Sequence, residues 1–430
     1  MSSILKIGIA GLGTVGSGLI RLILEREKDL CLRAGRAIEI SAISARNKNA
    51  DRGFDISPYV WHDDPLELVV NQDIDVVIEL IGGSDGIAKD LTFAALENGK
   101  HVVTANKALI AHHGTAIAKL AEAAGVSFSY EAAVAGGIPI IKSLREGLAG
   151  NRLSRIYGIL NGTCNYILTA MKDQGREFED ILAECQRLGY AESDPSFDID
   201  GIDTAHKLAI LASIGFGGKI NFGAVHVEGI RHISAMDMQF AEELGFCIKL
   251  LGIASIQDGG LEQRVHPCMV PAGNPISNVS GSLNAVVADG DFVGTIVQEG
   301  AGAGAGPTAS ALMSDIIDIA RKIRVPSFGV PAEQLKLLPT VPMQQHKGAY
   351  YIRLMVVDKP GVFADIAAAL RDHAVSIESV LQRTRDPGEA VPVVLTLHET
   401  KESSMTGALQ KIATVGAIVE PPRMIRIEYL

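Results

Sequence analysis

Cysteine is scarce and scattered in this sequence. Cys31, Cys164, Cys185, Cys247 and Cys268 are odd in number and include no C-x-x-C pair. That excludes a disulfide framework and a cysteine zinc site, and it points to reduced thiols in a cytoplasmic protein. Long apolar runs are missing too. No stretch of about 18 uncharged apolar residues occurs, so nothing reads as a membrane span. The start, Met1-Ser2-Ser3-Ile4-Leu5-Lys6, lacks the charged-then-apolar pattern of a secretory signal. Positive charge is in deficit, with 39 Lys+Arg against 50 Asp+Glu and a net charge of −11. No general basic surface is available to release counterions, which excludes nucleic acid as the main partner.

Apolar residues, at 47%, are ample for a globular core, and 430 residues predict two to four domains. Aromatics are few while glycine is plentiful: 45 of 430 residues, above the usual share of about 7%. Such an excess implies tight turns or backbone that repeatedly approaches a ligand.

The first 130 residues alternate apolar runs with helical spacing. Strands are expected at Leu5–Ala10, Ile38–Ser44, Ile74–Leu80, His101–Thr104 and Val126–Tyr130. Helices are expected at Val15–Leu30, Gly86–Asn98 and Ala108–Ala124. This order implies a parallel sheet covered on both faces. From about Ala135 the signals mix, with an apolar helix at Thr204–Ile214. The low-complexity run Gly300–Gly306 precedes a helix expected at Ala309–Ile323. Pro326, Pro331, Pro339 and Pro342 then mark a linker. After Gly348 the expected order is strand (Tyr350–Val357), helix (Val362–His373), strand (Ser376–Arg383), strand (Val391–His398), helix (Met405–Thr414) and strand (Ile418–Ile427). This βαββαβ order is ferredoxin-like.

Gly11-Leu12-Gly13-Thr14-Val15-Gly16 directly follows the first strand and opens the first helix. In that setting a G-x-G-x-x-G pattern reads as a dinucleotide site. The first glycine permits the turn, the second admits the pyrophosphate, the third lets helix and strand pack, and the helix N-terminus faces the phosphates. An NAD-preferring site commonly ends its second strand in Asp or Glu. Here Ile43-Ser44-Ala45-Arg46-Asn47-Lys48 is basic instead. Arg46 and Lys48 suit the 2′-phosphate of NADP, the alternative being two solvated surface charges.

The densest polar segment runs from Gly189 to Lys207 and carries Glu192, Asp194, Asp198, Asp200 and Asp203 ahead of an apolar helix. Asp203 and Lys207, spaced i,i+4, share a helix face. An ammonium beside carboxylates can protonate a carbonyl oxygen that gains charge on hydride delivery. The plainer alternative is a capping and ion-pair cluster at a helix start. His206 does not share that face and reads as structural. His112-His113 has no Cys or carboxylate at ligand spacing, which argues against a transition-metal site.

In order along the chain, Gly11–Gly16, Thr104-Ala-Asn-Lys107, Tyr130-Glu-Ala-Ala-Val-Ala-Gly-Gly-Ile-Pro139, Leu160-Asn-Gly-Thr-Cys-Asn-Tyr166 and Gly189–Lys207 resemble the homoserine dehydrogenases. Val357-Asp-Lys-Pro-Gly-Val362 resembles the opening of an ACT domain, a small amino-acid-sensing module. The resemblance implies a Rossmann-type α/β domain, an α+β substrate and dimerisation domain, and a ferredoxin-like ACT domain. The expected boundaries are 1–134 with a return segment at about 305–335, then 135–304, a linker at 336–347, and 348–430.

It further implies reversible reduction of L-aspartate 4-semialdehyde to L-homoserine by NADPH or NADH. Lys207 would be the acid/base group, Asp203 its partner on the substrate hydroxyl, and Lys107 would lie between nicotinamide and substrate. Glu192 would meet the substrate ammonium, with Asp194 and Asp198 lining the loop and Gly189 and Gly306 beside the site. Thr104 would contact the cofactor, and Gly83 would lie near it. A monovalent cation, usually sodium, would bind backbone oxygens of Glu131, Val134, Gly136 and Ile138. Threonine would act as feedback effector at the ACT turn around Asp358, Gly361 and Val362, and the chain would form a homodimer or homotetramer. Removing everything after Leu338 is then expected to spare activity and abolish feedback. Two competitors remain at this stage: a non-catalytic metabolite sensor, and a dehydrogenase for another amino-acid semialdehyde or hydroxy acid.

Overall fold

The computed structural model describes Ile4–Arg383 and Glu389–Leu430; Met1–Ser3, part of the N-terminal pattern read above, lie outside the described residues. The chain divides into two compact units. The first comprises Met1–Gly162, Asp203–Val225 and Leu283–Leu338, the second Thr163–Ile202, His226–Ser282 and Pro339–Leu430.

The first unit opens with β1 (Leu5–Ala10), α1 (Thr14–Ala34), β2 (Ile38–Ser44), β3 (Val60–His62), α2 (Glu67–Val70), β4 (Val76–Glu79), α3 (Ile87–Glu97), β5 (His101–Thr104), α4 (Lys107–Ala124) and β6 (Phe128–Ser129). The strands are parallel, in the order β3-β2-β1-β4-β5-β6. The apolar runs of the central strands β1, β4 and β5 are buried on both faces, as a helix-covered parallel sheet requires, while the edge strand β3 is partly exposed. The order reverses beside β1, which places a crevice at the carboxyl ends of β1 and β4, where α/β sheets bind ligands. The strand expected at Val126–Tyr130 shortens to two residues. Tyr130 leaves the sheet and donates its hydroxyl to the Ser327 carbonyl at 2.6 Å.

A short turn α5 (Ile140–Lys142) and strand β7 (Leu153–Ile159) complete this part of the first unit. In the second unit follow α6 (Gly162–Gln174), α7 (Phe178–Leu188) and α8 (Ser196–Ile199). The buried helix α9 (Ile202–Phe216) returns the chain to the first. The second unit continues with β8 (His226–Val227), α10 (Ala235–Glu243) and the antiparallel hairpin β9 (Phe246–Gln257) and β10 (Gly260–Pro271). Back in the first unit, β11 (Leu283–Gly290) pairs with β7 and with β12 (Gly294–Ala301), and α11 (Ala305–Ala320) follows. The Gly300–Gly306 run is thus no unstructured spacer. It ends β12 and starts α11 four residues earlier than expected. The small residues explain this: α1 approaches so closely that a Cβ on Gly18 would come 2.8 Å from the Ala305 carbonyl oxygen.

The tail forms β13 (Lys347–Val357), α12 (Val362–Asp372), β14 (Ile377–Leu381), β15 (Ala390–Lys401), α13 (Glu402–Ile412) and β16 (Arg423–Ile427). Its antiparallel sheet runs β16-β13-β15-β14 around a core that includes Ile352, Leu354, Ile366, Leu395, Met405 and Ile412. This is the expected ferredoxin-like module. Its last strand starts at Arg423 rather than Ile418, because Pro421 and Pro422 cannot donate to a ladder. β16 also runs parallel to β10, pairing Cys268 with Arg426 and Met269 with Ile427. Cutting after Leu338 would therefore remove a strand and buried ion-pair partners from the second unit. Such a truncation is expected to destabilise the second unit, a cost the sequence reading did not include.

Candidate active site

At the first β–α turn, Gly11 takes φ +104°, and a Cβ there would lie 2.5 Å from the Leu80 carbonyl oxygen. A Cβ on Gly16 would come 2.1 Å from the Gly11 carbonyl oxygen. Gly13 faces open space instead and is the N-cap of α1, with no side chain on the first-turn N–H groups. Leu12, Thr14 and Val15 complete the turn. The three glycines thus divide into two forced by packing and one left open for an approaching phosphate, which fits a dinucleotide.

A cavity of 440 Å³ adjoins this turn, lined by Gly11, Gly13, Ala45, Arg46, Asn47 and Ile81 among others. Arg46 lines it and Lys48 does not. Lys48 Nζ lies 5.8 Å from the Trp61 ring centroid. Arg52 pins the loop, its Nη1 donating to the Ala50 carbonyl at 2.8 Å. Of the two cations expected at a 2′-phosphate, the geometry favours Arg46.

Glu79 was not anticipated. It is fully buried at the end of β4, where Oε1 accepts from Ile81 N–H (2.7 Å) and Gly82 N–H (3.1 Å) and Oε2 accepts from Thr104 Oγ1 (2.6 Å). The Asn106 amide donates to the Gly83 carbonyl at 2.7 Å, and its Oδ1 caps α4 by accepting from Leu109 N–H. Glu79 and Asn106 thus fix Gly82 and Gly83, both at positive φ, and the start of α4, where Lys107 stands. The Thr104 hydroxyl is committed to this scaffold. The only sequence signal was an acid closing an otherwise apolar strand.

Lys107 reaches Asp203, Nζ to Oδ1 at 2.7 Å, and Lys207 holds the other carboxylate oxygen at 2.8 Å. Asn161 Nδ2 also donates to that oxygen at 2.8 Å, and Lys207 Nζ donates to the Leu160 carbonyl at 2.6 Å. The Asp203 side chain is 3% exposed, Lys207 10% and Lys107 33%. Burial pushes the Asp203 carboxyl up, but the Lys207 and Lys107 charges outweigh it and hold it well below the usual range. An exposed i,i+4 pair has no need of a second ammonium, so the capping alternative is the weaker reading. His206 stays structural. Its ring packs 4.4 Å from Phe222 and 5.4 Å from His112, and burial draws its pKa down to about 4.

The segment proposed for a cation turns sharply. Ala135 and Gly136 are consecutive residues at positive φ, 56° and 49°. Such a reversal swings neighbouring carbonyls to one side, which fits backbone ligation by Glu131, Val134, Gly136 and Ile138. The Ile138 oxygen already accepts from Ile140 N–H at 2.7 Å and keeps one lone pair. The Glu131 carboxylate accepts from Ile141 and Lys142 N–H, so that side chain belongs to the scaffold. Burial, with Asp315 nearby, pushes it up to about 7.

In the second unit, Gly189 ends α7 at φ +78° and the acidic loop follows. Glu192 is exposed; Asp194 Oδ1 accepts from Ser196 N–H at 3.1 Å. The Asp198 carbonyl accepts from Cys164 Sγ at 3.2 Å, and the Tyr190 carbonyl accepts from Thr163 Oγ1 at 3.1 Å. Residues of the Leu160–Tyr166 motif therefore hold the loop. At the tail's first turn, Gly361 is the N-cap of α12 at φ +94°, with Val362 next and no side-chain cap. Asp358 N–H donates to the Glu389 carbonyl at 3.0 Å.

A dinucleotide turn and a buried lysine–carboxylate–lysine centre define an NAD(P)-dependent oxidoreductase. Comparison with known proteins agrees. Residues 11–131 match the family model "Homoserine dehydrogenase, NAD binding domain", 139–317 match "Homoserine dehydrogenase" and 350–414 match "ACT domain". The homoserine dehydrogenase of Pseudomonas aeruginosa is 44% identical over 99% of both chains, and that of Neisseria gonorrhoeae is likewise 44% identical over 99% of both. A solved homoserine dehydrogenase from Thiobacillus denitrificans superimposes with a TM-score of 0.94 at 44% identity, covering 99% of each chain. The chain belongs to the homoserine dehydrogenase family and carries an ACT domain. Among the described residues, no helix is long and apolar enough to cross a membrane.

Proposed function

We propose that this chain reversibly reduces L-aspartate 4-semialdehyde to L-homoserine. The observation that carries the reading is the pair of ammonium groups on the buried Asp203 carboxylate, downstream in sequence from a dinucleotide turn. When bound, the reduced nicotinamide supplies a hydride to the aldehyde carbon. The Lys207 ammonium donates its proton to the aldehyde oxygen as negative charge develops there, and solvent later restores it. In the reverse direction neutral Lys207 accepts the hydroxyl proton. Asp203 keeps Lys207 oriented, its Oδ2 accepting from Lys207 Nζ at 2.8 Å. Lys107 adds a second positive charge beside the developing alkoxide. The acidic loop, with Glu192 first and Asp194, Asp198 and Gly189 around it, supplies the anionic contact for the substrate ammonium.

Gly11–Gly16, Gly83, Thr104, Lys107 and Gly306 are assigned to the cofactor, and Glu131, Val134, Gly136 and Ile138 to sodium. Asp358, Gly361 and Val362 are assigned to a threonine effector. The working state is a cytoplasmic homodimer or homotetramer. The test follows reduced-nicotinamide absorbance. Its loss should require aspartate semialdehyde, and equal loss with a simple aldehyde lacking an ammonium group would reject the substrate. Arg46→Ala should weaken NADP binding by at least about tenfold and leave NAD within about twofold, since a charge-assisted contact to the 2′-phosphate is removed. Equal losses would exclude Arg46 from that role.

A further inference from the structure

The acidic loop is held from outside, within the second unit, by a short segment that the reaction does not use. Arg231 makes a two-point ion pair with Asp200: Nε donates to Oδ1, and Nη2 donates to Oδ2 at 3.0 Å. Nη2 also donates to Ser196 Oγ at 2.9 Å. Ile230 N–H donates to the Ile199 carbonyl at 2.9 Å, which joins the two backbones. Gly229 lies so close that a Cβ would come 2.2 Å from the Ile199 carbonyl oxygen and 2.6 Å from Asp200 Cα. Residues 229–231 therefore fix α8 and Asp200, three residues before Asp203.

This strap has its own anchor. The Glu228 carboxylate accepts two hydrogen bonds from Arg426, Nη1 to Oε2 at 3.0 Å and Nη2 to Oε1 at 2.8 Å. Arg426 lies on β16 with its side chain 2% exposed, and it also donates from Nε to Glu402 Oε2 at 3.0 Å. Tyr350 on β13 donates its hydroxyl to that same Glu402 oxygen at 2.9 Å. Tyr350, Glu402 and Arg426 all belong to the ferredoxin-like module. Two ion-pair groups, Glu402–Arg426–Glu228 and Arg231–Asp200, are thus joined through the backbone of residues 228–231 and connect the module's sheet to the loop that precedes Asp203.

We infer that Arg231 and Glu228 are positioning residues for the substrate loop, and that Arg426 ties their placement to the ACT module. The inference rests on the reading that the loop from Glu192 to Asp203 meets the amino-acid substrate. The pair Arg231–Asp200 is about 40% exposed on both sides (42% and 41%), so its direct share in stability is small. Its effect belongs in loop placement, which sets where the carboxylates that meet the substrate stand.

The test uses the full-length enzyme. Arg231→Gln should raise KM for aspartate semialdehyde about five- to tenfold, with KM for the cofactor and the melting temperature unchanged. Arg231→Lys should recover part of the loss. Glu228→Gln, which keeps the hydrogen-bonding shape and removes the charge, should move the same KM in the same direction. Glu192→Ala is the control for the underlying reading and should raise that KM by itself. If Glu192→Ala raises KM while Arg231→Gln and Glu228→Gln do not, the strap is rejected and the loop assignment stands. If Glu192→Ala leaves KM unchanged, the loop assignment fails and the strap falls with it. A rise in both KM values together with a lowered melting temperature would show a purely structural role and overturn the inference.

Discussion

Lys207→Met should lower kcat by at least about a hundredfold, the range expected for loss of a positioned proton donor. Methionine keeps the length and apolar stem of the side chain on the buried, mostly apolar α9, so the helix retains its packing. Asp203 is not orphaned, because Lys107 still reaches Oδ1 at 2.7 Å and Asn161 still donates to Oδ2 at 2.8 Å. The dinucleotide turn is made by other residues, so affinity for the cofactor should stay within about twofold. The diagnostic is an equal fall in kcat and kcat/KM, which marks an interaction made only in the transition state. Turnover within about tenfold of wild type, in a protein that still binds cofactor, would remove Lys207 from the acid/base role.

What could be read in the sequence depended on how local the cause was. The first strand, glycine turn and helix declared themselves because an apolar run, a G-x-G-x-x-G and helical spacing are all short-range features. The Asp203–Lys207 pair was visible for the same reason, since i,i+4 spacing fixes a shared helix face without knowledge of the fold. Lys107 was placed by resemblance alone. Its approach to Asp203 depends on where two distant segments end, and no local pattern encodes that. Glu79, Asn106 and Asn161 were missed because each acts only by holding other residues through a few hydrogen bonds.

The β9–β10 hairpin escaped most completely. β10 reads Glu262-Gln263-Arg264-Val265-His266, a polar stretch with no alternation of apolar and polar faces, yet these residues are buried. Their partners, Glu428 and His346, come from the far end of the chain. Burial of a charged strand becomes readable only once those partners are known.

Arg264→Met should produce the largest loss of stability, about 3–5 kcal/mol, the usual cost of removing one partner from a buried ion pair. The Arg264 side chain is 6% exposed. Its Nε donates to Glu262 Oε2 at 3.1 Å, and Nη1 and Nη2 donate to the two Glu428 oxygens at 2.7 and 3.2 Å. Without it, two nearly buried carboxylates lose their shared cation; His346 stays 3.0 Å from Glu262 Oε1, and the His266 ring lies 3.9 Å from Glu428 Oε1. His266, Cys268 and Glu428 carry donors that would suit a metal, but Arg264 occupies both Glu428 oxygens. Burial, with Arg426 and Arg264 nearby, holds His266 far below its ordinary pKa, and burial holds the Cys268 thiol far above its own. The cluster is therefore an ion-pair network.

Burial pushes the Glu262 carboxyl up, but the His346 hydrogen bond and the Arg264 charge outweigh it and hold it below the usual range. A carboxyl depressed on folding contributes stability above its unfolded pKa, about 4.3, and that contribution is lost as pH falls through the folded value. Arg264→Met should flatten this acid-side slope as well as lower stability at neutral pH. Denaturant titration followed by a probe in the second unit measures both. The double variant Arg264→Met/Glu428→Met should be more stable than Arg264→Met alone, because it no longer buries the Glu428 charge unpaired. An Arg264→Met protein within about 1 kcal/mol of wild type, or a double variant that simply adds two losses, would show that the network does not hold the β10–β16 junction.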